Sequence, residues 1–188
     1  VPTKSAWKNH FMGTSHYGCY QAHVNALRKV IEDNVETALI LEGDIAFDIY
    51  IKRILTEALP NLDKSYKIHE KTIKRSKDKE SIEEDSEPFK INHSDPYQSK
   101  KWDIFMLTSC ADMAIDQHED VIYDDELSLG GGTIGTPIGK RRVGRTGGPT
   151  CLAAYAVSRA GATKLLTLLS LDSSMPIDLT IKDIVAKR

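Results

Sequence analysis

The chain has 188 residues and carries 25 Lys and Arg against 27 Asp and Glu, a net charge of −2. That length suits one domain, and a balance this close to neutral argues against a general nucleic-acid binder. The longest apolar runs are a few residues, far short of the roughly 20 a membrane-spanning helix needs. The first residues, VPTKSAWKNH, hold neither an initiator Met nor an apolar signal core. Val1 is therefore expected to begin a fragment or to follow a processed segment. Cys19, Cys110 and Cys151 are odd in number, widely spaced and without a CxxC pair. This excludes an ordinary structural zinc site, and the three are expected to be buried, reduced side chains.

Tyr20, Val24, Leu27 and Ile31 recur at helical spacing and predict an amphipathic helix over roughly 17–33, ended by Asp33-Asn34. Thr37–Glu42 (TALILE) is a short continuous apolar run, as in a buried parallel strand. Phe47, Ile51, Leu55 and Leu59 give a second helical stripe, stopped near Pro60. From Lys64 to Lys101 the chain is dense in both charges and poor in aliphatics, so a mobile charged insertion is expected over 64–101. Trp102–Cys110 reads as another buried strand and Cys151–Val157 as a further one. Ser158 then caps a helix carrying Ala162, Leu165, Leu166 and Leu169, and a last helix starts at Pro176. Helices alternating with buried strands predict an α/β sandwich around a mainly parallel sheet.

Charge is segregated along the chain. Residues 103–126 hold eight acids (Asp103, Asp112, Asp116, Glu119, Asp120, Asp124, Asp125 and Glu126) and no Lys or Arg. Residues 127–171 hold Lys140, Arg141, Arg142, Arg145, Arg159 and Lys164 and no acid. Two oppositely charged surface stretches account for this; it is also compatible with a site for a cation and an anionic ligand. Gly130 to Gly135 match G-x-G-x-x-G by letter, but Pro137 follows and no acid occurs before Asp172, which excludes a dinucleotide loop. No G-x-S-x-G elbow is present. Cys19 and His23 lie one helical turn apart, but no orienting third group is evident for a cysteine nucleophile.

The chemistry concentrates at LILEGDIAFD (Leu39–Asp48), where Glu42, Asp44 and Asp48 directly follow an apolar strand. In open α/β sheets, ligands sit beyond the carboxyl ends of strands. Two acids spaced by one residue, Glu42 and Asp44, suit a hard cation such as Mg²⁺ or Mn²⁺ that bridges to phosphate oxygens. Gly43 between them is expected to allow a close approach or a sharp turn.

Five blocks together resemble glycosyltransferase family 25, the lipopolysaccharide-type and collagen-type galactosyl- and glucosyltransferases. They are GCYQAHV (Gly18–Val24), LILEGD (Leu39–Asp44), WDIFMLTSC (Trp102–Cys110), AAYAVSRAGATKLL (Ala153–Leu166) and PIDL (Pro176–Leu179). The resemblance covers most of the chain outside the charged insertion. It implies a nucleotide-diphospho-sugar transferase (GT-A) fold, here expected to lack its first strand, in one domain over 1–188 truncated at one or both ends. It also implies transfer of a hexose from a UDP-sugar to an acceptor hydroxyl, with Mn²⁺ (or Mg²⁺) as cofactor. The acceptor would be a glycan, a lipid-linked sugar or a protein residue, in bacterial cytoplasm or secretory-pathway lumen. Glu42 and Asp44 match the ends of the family's acidic triplet and would hold the metal; Gly43 stands where the family carries Asp, and Ala22 where it carries Ser. Asp178 matches the Asp of the closing P-x-D and is the expected base or acceptor binder, with Asp48 as the alternative. Arg141 and Arg145, in a basic loop, are expected to hold the donor phosphates on grounds of charge. His23 is expected either to contact the donor or to be a packed helix histidine. The rival reading is a non-catalytic relative kept as a binding or scaffolding module.

Overall fold

A computed structural model describes residues 14–77, 90–108, 110, 120–130, 135–171 and 174–186. Among these, helix α1 spans Thr14–Glu32, strand β1 Thr37–Leu41 and helix α2 Ile51–Lys77. A short 3₁₀ turn, Ser99–Lys101, precedes strands β2 (Ile104–Met106), β3 (Val121–Asp124), β4 (Lys140–Val143) and β5 (Ala154–Ser158). Helices α3 (Arg159–Leu169) and α4 (Ile177–Ala186) close the described chain. Its contacts divide into two units, one drawn from residues 1–45, 102–113 and 146–188, the other from 46–101 and 114–145.

In the first unit, β5 lies between β1 and β2 and runs antiparallel to both. Helices and strands are mixed as expected, but the described strands form small antiparallel sheets, not the mainly parallel sheet expected from the alternation. The error lay in reading TALILE as buried on both faces. Only Ala38 and Ile40 turn to the core, while Leu39 and Leu41 are 54% and 42% exposed, so β1 is a one-faced edge strand. The central strand, with Tyr155 and Val157 fully buried, packs under α1 (Leu27, Val30), α3 (Ala162, Leu165, Leu169) and α4 (Ile177, Ile181).

Local chemistry fixes the helix ends. Asn34 takes a left-handed conformation (φ 55°), and Val35 N–H and Asn34 N–H donate to the carbonyls of Val30 and Ile31, a Schellman stop for α1. Ser158 caps α3 as its sequence predicts, its hydroxyl accepting from the Gly161 amide at 3.0 Å. At Gly161 a Cβ would fall 1.9 Å from the Asp103 carbonyl oxygen, so the helix approaches β2 closely only because no side chain is there. Pro176 sits just before α4 and accepts its first backbone bond from Thr180.

All three cysteines depart from the buried, reduced state expected of them. Cys110 and Cys151 form a disulfide with Cα atoms 5.6 Å apart, within the usual range. A 41-residue separation hides a pairing that the β2–β5 neighbourhood creates. Cys19 is free and exposed.

In the second unit, α2 runs through Pro60 to Lys77. The first part of the expected charged insertion, 64–77, is thus helix, and 78–89 lie outside the described residues. Proline removes one helical hydrogen bond, a cost of about 3 kcal/mol. Burial of Ile54, Leu59, Leu62 and Ser65 on one face, with ion pairs Arg53–Glu57 and Asp63–Lys67, offsets that loss. Phe47, expected to lead the stripe, is exposed and precedes the helix.

Strands β3 and β4, which the sequence reading missed, pair antiparallel with Tyr123 opposite Arg141 and Asp124 opposite Lys140. This explains the segregated charge. Acids in and flanking β3 meet bases of β4: Asp124 with Lys140, Asp120 with Arg142 at 2.7 Å, and buried Asp125 with Arg141, while Arg53 of α2 pairs with Asp125 at 3.1 Å. The Arg141 hydrogen bond holds the Asp125 carboxyl below the usual carboxylate range, against the opposing effect of burial. Asp112, Asp116 and Glu119 lie outside the described residues.

Candidate functional site

The first unit gathers its chemistry where α1 crosses the end of β1. Cys19 and His23, four residues apart, project from the same face of α1. Glu42 follows β1 directly, and its amide donates to the Ala153 carbonyl at 2.9 Å, which ties its backbone to the sheet. His23 is buried, with Nε2 3.5 Å from Glu42 Oε1 and Nδ1 3.0 Å from the Tyr155 hydroxyl. A carboxylate opposite Nε2 favours a proton on that nitrogen, leaving Nδ1 to accept from Tyr155. His23 is therefore a packed, hydrogen-bonded helix histidine that also reaches Glu42.

Asp178 stands in the first turn of α4 and accepts the Cys151 amide at 3.3 Å through Oδ2. The disulfide-bonded Cys151, held at φ 65°, thus orients that carboxylate. Partial burial, then the charges of Glu42 and Asp178, push the Cys19 thiol up from its ordinary value. Burial, then the charges of Cys19 and Glu42, raise the Tyr155 phenol. A reactive cysteine needs the opposite shift, and an imidazole serving as its base would turn one nitrogen to the thiol and the other to an acid. Here Nδ1 is taken by Tyr155, so cysteine nucleophilic chemistry finds no support.

Asp44 lies exposed in the turn after Glu42. Gly43 does not need to be glycine: its φ is not positive and a Cβ there meets nothing within 4 Å. Glu42 and Asp44 flank one open turn with both carboxylates reaching solvent, an oxygen donor set that fits a hard divalent ion keeping several waters. Among the described residues, the three donors close enough to share one ion are instead Cys19, His23 and Glu42.

The other predicted residues belong to the second unit. Asp48 accepts the Tyr50 amide at 2.8 Å and opens α2, a structural turn. Arg141 sits in β4, not in a loop, and its Nε is engaged by Asp125; Arg145 is exposed just beyond that strand. Tyr155 went unnoticed in the sequence, although a tyrosine inside the apolar run AAYAVS must find a partner for its hydroxyl.

The sequence profile of glycosyltransferase family 25, described as an LPS biosynthesis protein, matches residues 2–181. The chain belongs to glycosyltransferase family 25. The match spans both units and every residue of the Cys19–His23–Glu42–Asp178 group. No curated protein and no solved structure matches the chain. Among the described residues, no helix is long and apolar enough to cross a membrane.

Proposed function

We propose that this domain transfers a hexose from a UDP-sugar to an acceptor hydroxyl, with the donor held beyond the end of β1. The family match over residues 2–181 carries this reading. The convergence of Glu42, His23 and Asp178 around Cys19, at the end of a strand, supports it. Glu42 and Asp44 are the residues to hold Mn²⁺ or Mg²⁺, which when bound neutralises the diphosphate and the departing UDP. His23, fixed by Tyr155, sets the direction of the Glu42 carboxylate. Asp178, with Oδ2 on the Cys151 amide, keeps Oδ1 to take the proton of the acceptor hydroxyl, a contribution of about 10²–10⁴-fold to the rate.

Gly43, in place of an acid, favours the second reading, a non-catalytic module that binds without turnover. Since the position tolerates a side chain, Gly43→Asp should fold normally and tighten Mn²⁺ binding. Calorimetric titration with UDP and UDP-galactose, with and without Mn²⁺, tests the reading. Metal-dependent binding lost in Asp44→Ala is expected. A folded chain that binds neither ligand contradicts a surviving donor site.

A further inference from the structure

The group at the crossing of α1 and β1 has a composition that a site for Mn²⁺ and diphosphate does not require. One Cys19 sulfur, one His23 ring nitrogen and one Glu42 carboxylate oxygen lie within 4.8 Å of one another. With Nδ1 occupied by the Tyr155 hydroxyl, Nε2 is the nitrogen that faces inward, already 3.5 Å from Glu42 Oε1. Ligands of a tetrahedral ion with bonds of about 2.0–2.3 Å stand roughly 3.3–3.7 Å apart. The His23–Glu42 pair has that spacing now, and rotation of the exposed Cys19 side chain brings in the third donor.

We propose that Cys19, His23 and Glu42 form a transition-metal site, a thiolate–imidazole–carboxylate set that takes Zn²⁺ and leaves a fourth position open. Three observations support this. The donors are mixed: sulfur and imidazole select Zn²⁺ over the hard ions that an oxygen pair such as Glu42–Asp44 prefers. The outer contact of a metal-bound histidine is at hand: metal binding moves the ring proton from Nε2 to Nδ1, which then donates to the hydroxyl oxygen of fully buried Tyr155. The three donors also come from rigid elements, two from one face of a 19-residue helix and one from the end of a strand. Solvent reaches the ion from the Cys19 side, so it is exchangeable. A relay for a cysteine nucleophile would need His23 to use both nitrogens along a line; here one nitrogen and two other donors converge on a point.

The site shares Glu42 with the donor reading but rests on its own geometry. Zn²⁺ bound there engages the carboxylate that Mn²⁺ needs, so Zn²⁺ should weaken Mn²⁺-dependent UDP binding. The direct test uses Co²⁺ as a spectroscopic substitute for Zn²⁺ on the intact chain, with folding checked by circular dichroism. One Co²⁺ per chain should bind, giving a thiolate-to-cobalt charge-transfer band and the strong visible bands of a four-coordinate ion, reversed by Zn²⁺. Cys19→Ser, an exposed substitution, should abolish the charge-transfer band. Tyr155→Phe should lower the affinity by about 10–100-fold, the effect of losing an outer contact. Asp44→Ala should leave the cobalt spectrum intact while removing Mn²⁺-dependent UDP binding, which separates failure of this site from failure of the donor reading. A cobalt spectrum without a thiolate band, or Co²⁺ affinity equal in the folded wild-type and Cys19→Ser chains, would overturn the proposal.

Discussion

Tyr155→Phe isolates the contact on which the site's geometry depends. Tyr155 is fully buried on the central strand, and its hydroxyl meets Nδ1 of His23, whose side chain is 6% exposed. The substitution keeps the ring and its packing, so no cavity term enters. It removes one hydrogen bond, a net loss of about 1 kcal/mol, and leaves a buried ring nitrogen without a partner, which raises the cost towards 3 kcal/mol. A loss of about 2 kcal/mol corresponds to a fall in Tm of roughly 4–8 °C for a chain this long. Urea unfolding followed by far-ultraviolet circular dichroism gives the value directly. Adding His23→Leu and the double variant closes a cycle, whose coupling energy should be about 1 kcal/mol or more because the two side chains touch. A Tyr155→Phe effect below about 0.5 kcal/mol, or an additive cycle, would refute the reasoning, since a surface-like change of that size signals no buried contact.

Other outcomes follow from the same structure. Gly161→Ala should destabilise by about 2 kcal/mol or more, because its Cβ would collide with the Asp103 carbonyl. Gly18→Ala, within α1 and with open space around it, should instead stabilise by about 0.5–1 kcal/mol; paired thermal melts decide both. Asp125 has a folded pKa below its unfolded value of 3.8, so the stability it supplies is present above pH 3.8 and lost as pH falls through the lower, folded value. The stability gap between wild type and Asp125→Asn should therefore be widest near neutral pH and close in acid, as read by urea midpoints across pH. Reducing Cys110–Cys151, which closes a 41-residue loop, should cost about 4 kcal/mol; thiol titration of the denatured chain should find one free thiol before reduction and three after.

Local signals in the sequence were read well where the cause was local. The stripe Tyr20–Val24–Leu27–Ile31 marked α1, Asp33-Asn34 its stop, and Ser158 the cap of α3. Legibility failed where distant segments decide. Whether TALIL is buried on two faces or one depends on its neighbours, and β5 supplies only one. The pairing of Cys110 with Cys151, and of acidic β3 with basic β4, likewise needs the fold. Pro60 misled because the apolar and polar groups that bury α2 beyond it, Leu62 and Ser65 among them, do not make a conventional stripe. At the site, Glu42, His23 and Asp178 were legible from motifs, whereas Tyr155 and the convergence on Cys19 come from folding alone.

The measurement that tests the central claim most directly is release of UDP from UDP-hexoses by the purified chain with Mn²⁺, with glycan, lipid-linked sugar and hydroxylated peptide acceptors. Wild type and Asp178→Asn would be run in parallel. The account predicts acceptor-stimulated release that falls by about 10²-fold or more in Asp178→Asn, with donor binding retained. Turnover unchanged in that variant would contradict the role given to Asp178. Metal-dependent donor binding with no release, even with every acceptor, would contradict a transferase and leave a sugar-nucleotide-binding module.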